Sequence, residues 1–295
     1  MKISTVIACH NGARTLRLCL DSLRKIKRTD FEVIVADDGS TDDSPAIAQS
    51  LGATVLRLKK RGRPAALNAG IEKARGEIIC FTDSDCTVPP TWADALEDAL
   101  APGFDGVGGN LVPSAWTVVE IAKVLRYVHE FEGNAVLQGA YSGRCLNGNN
   151  MAIRKAALKS VGGFDEGYLH GADADLTRRL LEKGFRLLRT TKVETRHLKV
   201  ESLASFLRTS FFRGSAVRFA MRDGPLPRFF LIRAYLSAFS RLVEDFRKRS
   251  ALHRRFPELP GTKTILAPPA HFLADLSSAT GQARFHRKFS KEDGA

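Results

Sequence analysis

The chain has 295 residues, of which 44% are hydrophobic and 26% are charged, and its formal net charge is +13. This composition is typical of a globular protein, and the length suits one large domain or one domain with an appendage. Residues 206–249 hold 10 basic and 3 acidic side chains, whereas residues 1–205 hold 28 and 25, so we predict no nucleic-acid partner.

Strands and helices alternate along the first 85 residues. Apolar runs predict four strands, in STVIACH, in FEVIVAD, in TVLRL and in EIICFTDSD. The segments between them predict helices in ARTLRLCLDSLRKI, in SPAIAQSLGA with Ser44 as N-cap, and in RPAALNAGIEKARG. This alternation predicts an α/β fold, with a doubly wound, mostly parallel sheet that has helices on both faces.

Polar residues follow three of these strands directly. Ligands bind beyond the carboxyl ends of the strands in such sheets, so three polar clusters at three strand ends point to one shared site. The clusters are His10 and Asn11, Asp37 and Asp38, and Asp83 and Asp85.

The motif Asp83-Ser84-Asp85 stands at the mouth of a buried strand, where unpaired charges are costly. Magnesium and manganese take oxygen ligands, usually one or two carboxylates plus substrate phosphates. If the extended conformation persists, both carboxylates point the same way. The motif therefore indicates a divalent metal site, although an Asp-rich turn before the next helix explains it too.

The cysteines and the N-terminal residues indicate where in the cell the protein is expected. The five cysteines are odd in number and none forms a CxxC pair, so neither a disulfide framework nor a zinc ribbon is indicated. The apolar run after Lys2 is too short for a signal peptide, and no run approaches the roughly 18 apolar residues that cross a bilayer. These features predict a cytoplasmic protein with reduced thiols.

Six segments in order carry a family resemblance: VIACHNG, VIVADDGSTDDS, GRPAALNAGIEKARGEIICFTDSD, GNNMAIRKAAL, VGGFDE and GADADLTRRLLEKG. Together they resemble the family 2 glycosyltransferases with a GT-A fold. The resemblance covers roughly residues 1–200, and we predict a transferase domain at 1–205 and a basic, mostly helical extension with an irregular tail at 206–295. It implies transfer of a sugar from a nucleotide-sugar, with inversion and with Mn²⁺ or Mg²⁺ as cofactor.

The resemblance also implies which residues bind the nucleotide. Asp38 matches the aspartate that hydrogen-bonds the nucleobase, and UDP is the predicted nucleotide. Asp83 matches the position near the ribose and the metal. Arg63 lies near the expected diphosphate or base, though it also reads as one more surface arginine in KKRGR. His10 stands where the family often has an aromatic residue against the base, and Asn11 is expected to fix the loop.

The metal and the catalytic base are implied in the same way. Asp85 matches the metal-binding aspartate, and His197 matches a histidine that serves as a further ligand. GADADL is similar to a GEDADL segment whose first aspartate is the base, which makes Asp173 the base and leaves Asp175 to structure or acceptor positioning. The preceding Glu is replaced by Ala172, which leaves one acceptor contact open.

The remaining cleft positions follow from GNNMAIRKAAL. Gly148, Asn149 and Asn150 lie where the family lines the donor sugar and the acceptor cleft. The glycine lets the backbone come close to a ligand, although a plain turn has the same composition. The expected acceptor is a carbohydrate or a lipid-linked molecule.

The C-terminal third interleaves arginines with phenylalanines in FLRTSFFRGSAVRFAMRD. Such basic helices either pack on the catalytic domain and present a solvated basic face, or lie peripherally on anionic membrane at the inner face.

Two other functions stay open for the whole chain. One is a nucleotidyltransferase, although ACHNGARTL is a poor phosphate loop. The other is an inactive transferase scaffold that acts as a binding or membrane adaptor.

Overall fold

The structure is a computed structural model whose described residues fall into several ranges. They are 2–114, 117–122, 134–139, 145–168, 171–199, 202–208, 210, 238, 242, 267–270 and 272–278. Contacts divide the chain into two compact units, one of residues 1–112 with 131–199 and one of residues 113–130 with 200–295. The predicted division at residue 205 therefore falls inside the second unit, and the sequence did not indicate that 113–130 belongs there.

The first half of the first unit alternates strands and helices as expected. Its elements are β1 (Ile3–Cys9), α1 (Ala13–Leu23), β2 (Phe31–Asp37), α2 (Ser44–Ser50), β3 (Thr54–Arg57), α3 (Arg63–Lys73) and β4 (Ile78–Thr82). One detail differs, because α2 has Asp43 as its N-cap and begins at Ser44. The Ser44 hydroxyl instead bonds to Asp42 Oδ1 at 2.5 Å and accepts a hydrogen bond from the Gly12 amide at 2.9 Å.

The second half contributes the rest of the sheet. Its elements are β5 (Cys86–Thr87), α4 (Trp92–Leu100), β6 (Gly106–Pro113), β7 (Ala135–Leu137), β8 (Asn150–Arg154), α5 (Lys155–Ser160), α6 (Ala172–Glu182) and β9 (Leu187–His197).

The described strands form one nine-stranded sheet in the order β3-β2-β1-β4-β8-β6-β9-β5, with β7 paired to β9. β1 pairs in parallel with β2 and β4, and β2 pairs in parallel with β3. β8 pairs antiparallel with β4 and β6, and β9 pairs antiparallel with β5 and β7. The predicted α/β class is confirmed, and the parallel half brings the carboxyl ends of β1, β2 and β4 to one edge.

A continuous apolar core fixes that edge. α1 and α4 share one buried cluster with β1, to which Leu16, Leu20, Trp92 and Leu96 contribute side chains that are at most 2% exposed. Burying an aliphatic side chain of this size stabilises the fold by about 1.5–3 kcal/mol. The helices are thus held firmly on the sheet, and the loops at its polar edge start from fixed points.

The second unit has a core of its own. Residues 119, 121, 122, 267, 270 and 274 pack with Phe206, which is 1% exposed. This packing explains why residues 113–130 join the C-terminal residues. Of the predicted Phe–Arg segment, Phe206 packs inward and Arg208 is exposed, while most of the others lie outside the described residues.

Candidate active site

The turn after β4 carries both aspartates of the DSD motif. β4 ends at Thr82, and the Cys86 amide donates to the Asp83 carbonyl at 3.0 Å, which closes a turn over residues 83–86. The extended conformation therefore stops before the motif. As a result Asp83 and Asp85 contact different partners instead of sharing one side.

Arg63, the first residue of α3, contacts Asp83 from across the cleft. Its Nη2 and Nε donate to Asp83 Oδ1 at 2.6 and 3.2 Å. Burial on its own lowers the pKa of the guanidinium, but attraction to Asp83, and then to Asp173 and Asp85, raises the pKa above its ordinary value. One arginine is therefore the counter-charge for three aspartates.

The contacts of Arg63 continue to the predicted base. Nη2 also donates to the Gly148 carbonyl at 2.9 Å, and the Gly148 amide donates to Asp173 Oδ2 at 3.3 Å. Asp173 stands in the first turn of α6, where its Oδ1 accepts from the Ala174 amide at 3.0 Å. A chain of hydrogen bonds thus joins Asp83, Arg63, Gly148 and Asp173.

Gly148 is held tightly between the two charged groups. A Cβ atom at this position would lie 3.3 Å from Arg63 Nη2 and 3.4 Å from Asp173 Oδ2. Contacts this close require the neighbouring side chains to shift, so the absence of a side chain lets the peptide bond bridge them.

Asp85 faces β9 on the other side of the turn. Its Oδ2 lies 3.4 Å from His197 Nε2, and the two backbones are joined because β5 pairs with the end of β9. Burial alone would raise the pKa of the Asp85 carboxyl, but the contact with His197 and the charge of Lys199 hold the pKa below its usual value. Asp85 is therefore ionised at neutral pH.

The pair Asp85 and His197 fits a divalent ion that takes its other ligands from a substrate. His197 Nδ1 is buried and has no hydrogen-bond partner among the described residues. Within that same part of the chain, no three carboxylates, histidines or cysteines gather into a complete metal site. The Asp85 carboxylate suits magnesium or manganese, whose remaining ligands are commonly phosphates and water, and a neutral imidazole can complete such a mixed site although these ions prefer oxygen.

Asp38 is 5% exposed and organises the loop before α3. Its carboxylate accepts from the Arg61 amide at 2.8 Å and from the Gly62 amide at 2.9 Å. Gly62 has φ 101°, a conformation that L side chains rarely adopt. Asp38 thereby positions the start of α3 and Arg63, and its oxygens keep acceptor capacity for a further donor.

His10 and Asn11 occupy the loop after β1. The Asn11 backbone has φ 52°, its amide donates to Ser40 Oγ at 2.9 Å, and its Oδ1 accepts from the Thr41 amide at 2.8 Å. His10 is exposed, with its Nε2 at 2.9 Å from Lys60 Nζ. Asn11 therefore ties the loops after β1 and β2 together, and His10 borders them.

The two asparagines after Gly148 differ in their surroundings. Asn150 is fully buried, accepts from Trp92 Nε1 at 2.8 Å, and donates to the carbonyls of Asn110 and Val193 at 2.7 and 3.0 Å. The structure therefore places Asn150 in the sheet, with its amide fully used. Asn149 Oδ1 is buried and has no partner among the described residues, so its amide is not fully used.

Asp175 does not join the cleft. Its carboxylate is 2% exposed, and Arg178 and Arg179 each donate to one of its oxygens at 2.7 Å. Sequence reasoning placed Asp173 and Asp175 apart but did not find the partners Arg178 and Arg179, although their spacing of three and four residues from Asp175 is the usual helical signal for an ion pair.

Cys19 and Cys86 contact the DSD turn as neutral thiols. All five are free and lie among the described residues. Burial, and then the charges of Asp83 and Asp85, raise the pKa of the Cys19 and Cys86 thiols, which keeps them protonated at neutral pH.

Similarity to known proteins identifies the family of this chain. The model of glycosyl transferase family 2 matches residues 4–162. The chain belongs to glycosyl transferase family 2. The match includes the loops that carry Asp38, Arg63 and Asp83 and the Gly148 segment, so the predicted family is confirmed.

Named relatives share the transferase segment. Glycosyltransferase AglE of Haloferax volcanii is 27% identical over 63% of this chain and 63% of its own length. The succinoglycan biosynthesis protein ExoA of Rhizobium meliloti is 30% identical over 63% of this chain and 60% of its own. The chain thus spans about three-fifths of the length of these relatives.

Solved structures show the same fold at low identity. A mannosyltransferase of Pyrobaculum calidifontis, in complex with GDP-Man and Mn²⁺, aligns with a TM-score of 0.65 and 19% identity over 96% of this chain and 87% of that one. Staphylococcus aureus TarS with UDP-GlcNAc aligns with a TM-score of 0.53 and 16% identity over 99% and 92%. The predicted GT-A fold is confirmed. No helix in the described ranges is both long and apolar enough to span a bilayer.

Proposed function

We propose that the protein transfers a sugar from a nucleoside-diphosphate sugar to an acceptor hydroxyl, with inversion at the anomeric carbon. The observation that carries this proposal is the hydrogen-bonded chain from Asp83 through Arg63 and Gly148 to Asp173. It connects a carboxylate on the DSD turn, where the donor is expected, to a carboxylate at a helix N-terminus, where the acceptor is expected.

Asp173 is the base in this proposal. The acceptor oxygen attacks the anomeric carbon as the bond from that carbon to the diphosphate oxygen breaks, and Asp173 takes the hydroxyl proton. The Gly148 and Ala174 amides donate to its two oxygens and fix the direction of the carboxylate. A positioned base of this kind contributes about 10²–10⁴-fold to the rate.

The donor lies on the other side of the cleft in this proposal. Asp38 accepts a hydrogen bond from the nucleobase, with UDP as the expected nucleotide, and Asp83 approaches the ribose, while Asn11 holds the loop and His10 borders the base. Asp85 and His197 would hold a divalent ion, Mn²⁺ or Mg²⁺. When bound, that ion supplies charge stabilisation to the diphosphate leaving group.

The acceptor in this proposal is a carbohydrate or a lipid-linked molecule. ExoA is named for the biosynthesis of succinoglycan, a polysaccharide, and the Pyrobaculum structure contains a nucleotide-sugar with Mn²⁺. We propose that this chain works on a similar acceptor, with Asn149 as a polar group in the acceptor cleft because its Oδ1 has no partner among the described residues.

The test is a panel of nucleotide-sugars with MnCl₂, read out as release of nucleoside diphosphate with and without oligosaccharide or lipid-linked acceptors. We expect release from one class of donor and loss of release with EDTA. Asp173→Asn and Asp85→Ala should each lower it by about 10²-fold or more. The matched control is Asp43→Asn, since Asp43 is an exposed N-cap. Full activity of Asp173→Asn, or release of pyrophosphate from a nucleoside triphosphate, would contradict the proposal.

We further propose that the protein is cytoplasmic and contacts anionic membrane peripherally through its second unit. Leu203 and Leu273 are large apolar side chains that are 43% and 45% exposed, and Arg208 is exposed in the same unit. Sedimentation with phosphatidylglycerol vesicles should be strong at low salt and weaken as salt rises, because the charges are screened. Absence of sedimentation at low salt would contradict this contact.

A further inference from the structure

A buried ion cluster lies inside α6, one turn from the predicted base. Asp175 is 1% exposed, and both of its oxygens accept from guanidinium groups, Oδ1 from Arg178 and Oδ2 from Arg179, each at 2.7 Å. A carboxylate this well enclosed needs positive charge beside it to stay ionised.

The two arginines have different second partners. Arg178 donates onward to the exposed Glu182 at 2.7 Å. Arg179 reaches across to another segment, where Nη1 donates to the Val161 carbonyl at 2.6 Å and Nη2 to the Gly163 carbonyl at 2.8 Å. Arg179 therefore fixes α6 to the loop after α5, whereas the contacts of Arg178 within the described residues stay inside α6.

The same loop is fixed to α3 by an asparagine. Asn68 donates from Nδ2 to the Phe164 carbonyl and accepts at Oδ1 from the Phe164 amide, both at 2.8 Å. The chain of contacts runs from Asp175 through Arg179, then residues 161–164, to Asn68 on α3. We name this set of contacts the brace.

The brace connects the two helices whose first residues form the cleft. α3 begins at Arg63, and Asp173 lies in the first turn of α6, so the brace lies one to two turns further along each helix. Between these starts lies the Gly148 peptide, which contacts both side chains. The spacing of the helices therefore determines whether one peptide can bridge Arg63 and Asp173.

A second contact holds that peptide from the α6 side. The Thr177 hydroxyl donates to the Asp173 carbonyl at 2.7 Å and accepts from the Leu146 amide at 3.1 Å. The segment that carries Gly148 is thus attached to α6 directly. A shift of α6 relative to α3 would draw Gly148 along with Asp173 and away from Arg63.

We propose that Asp175, Arg179 and Asn68 are positioning residues that hold Asp173 in its working place relative to Arg63. This inference rests on the proposed function, since it assumes that Asp173 is the base. None of the three contacts a predicted ligand position, so they act on the reaction only through Asp173. Displacement of a reacting group by about 1 Å is enough to lower a rate about 10²-fold.

Arg179→Lys and Arg178→Lys form a matched pair for the test. Lysine keeps the positive charge beside Asp175, but a single ammonium on a flexible stem cannot reach Asp175 and both loop carbonyls as a planar guanidinium does. We expect Arg179→Lys to lower kcat by about 10- to 10²-fold, with the donor KM within about twofold of the unmodified protein. Arg178→Lys should keep kcat, because its second partner is the exposed Glu182.

Asn68→Ala tests the other end of the brace. Because Asn68 lies on α3, this variant also controls for the possibility that Arg179→Lys acts by unfolding α6. It should lower kcat to a similar degree with the donor KM unchanged. Each variant is checked by circular dichroism and thermal unfolding before the kinetics are compared. An unchanged kcat in both Arg179→Lys and Asn68→Ala would overturn the proposal. The proposal would also be overturned if Arg178→Lys lowered kcat as much as Arg179→Lys does.

The decisive measurement combines Arg179→Lys with Asp173→Asn. If the brace acts through Asp173, the double variant has the same kcat as Asp173→Asn alone, because nothing remains to be positioned. If Arg179→Lys instead lowered kcat in the Asp173→Asn background by the same factor as in the unmodified protein, the proposed role of the brace would be overturned. By contrast, full activity of Asp173→Asn alone would contradict the proposed function, because Asp173 would then not be the base that the brace positions.

Discussion

Two arginines in the first unit each have three carboxylates around them, and they are satisfied to different degrees. Arg28 bonds Asp30 through Nε and Nη2 at 2.9 Å each, and its Nη1 bonds Asp94 at 2.6 Å and Glu97 at 2.7 Å. Arg63 attracts three aspartates in the cleft but bonds only Asp83 directly, and its other acceptor is the Gly148 carbonyl.

The difference separates a structural ion cluster from one that is open to ligands. Around Arg28 each of three carboxylates has a guanidinium partner, and these contacts link α4 to the loop before β2. In the cleft, Asp85 contacts a histidine and Asp173 contacts two backbone amides. The cleft therefore keeps unneutralised negative charge near Arg63, which favours a cation and hydroxyl groups as ligands.

The largest expected effect comes from exchanging each arginine for methionine. Arg63→Met should lower kcat/KM for the donor by about 10²-fold, because Gly148 and Asp83 lose the group that joins them. Its loss of stability should be smaller than that of Arg28→Met, because Arg63 bonds one carboxylate directly and Arg28 bonds three. Arg28→Met should keep kcat/KM and lower the free energy of unfolding by about 1–2 kcal/mol, since three partly exposed ion pairs are lost. Steady-state kinetics and urea unfolding of both variants measure this.

A conservative control separates charge from geometry in that comparison. Arg63→Lys retains the charge, but lysine presents a point charge that cannot reach Asp83 and Gly148 together, so kcat/KM should stay well below that of the unmodified protein. Full activity in Arg63→Lys would show that only charge matters. A stability loss in Arg63→Met larger than that in Arg28→Met would reverse the assignment of the two clusters.

The neighbours Asn149 and Asn150 extend the comparison to neutral groups. Asn150→Ala leaves Trp92 Nε1 and two carbonyls without partners, so the free energy of unfolding should fall by about 1–3 kcal/mol. Asn149→Ala removes a group whose Oδ1 has no partner among the described residues, so stability should hold while the acceptor KM rises. Urea unfolding and acceptor titrations test both, and equal stability losses would contradict the distinction.

Sequence reasoning found the elements that have local signals. Apolar runs and helical spacing predicted β1 to β4 and the helices between them, and the family resemblance implied roles for Asp38, Arg63, Asp83 and Asp173, which stay predictions. It failed where long-range contacts decide. The turn over residues 83–86 ends the strand before Asp83, so the two aspartates separate. The pairing of His197 with Asp85 was predicted, but from the family resemblance and not from a local pattern, and the structure places the two side chains 3.4 Å apart.

The antiparallel half of the sheet was missed for a similar reason. β6, β8 and β9 are joined through the Asn150 side chain and through backbone pairing between segments more than 40 residues apart. Likewise, residues 113–130 belong to the second unit because Val119 packs with Phe206, a contact that spacing along the chain does not indicate. Such contacts depend on the topology, which the sequence pattern constrained only in its first 85 residues.

The smallest expected effect is a pH dependence of the Arg28 cluster. The hydrogen bond from Arg28 holds the pKa of the Asp30 carboxyl below its usual value, and Lys2, followed by Arg28, does the same for Glu97. A carboxyl whose pKa is lower in the folded state stabilises the protein above its unfolded pKa of about 4, and this stability disappears as the pH falls through the folded value.

The stability difference between the unmodified protein and Arg28→Met should therefore be full at pH 7 and shrink below about pH 4. Urea unfolding at pH 7, 5 and 3.5 follows it, and the same series in high salt should show a smaller difference at pH 7 because the exposed parts of the cluster are screened. Arg63→Met is the matched control at each pH. If the difference in the free energy of unfolding between the unmodified protein and Arg28→Met instead grew as the pH fell, the carboxylates would be stabilised by a group other than Arg28. The contrast between the satisfied cluster at Arg28 and the open one in the cleft would then depend on Arg63 alone.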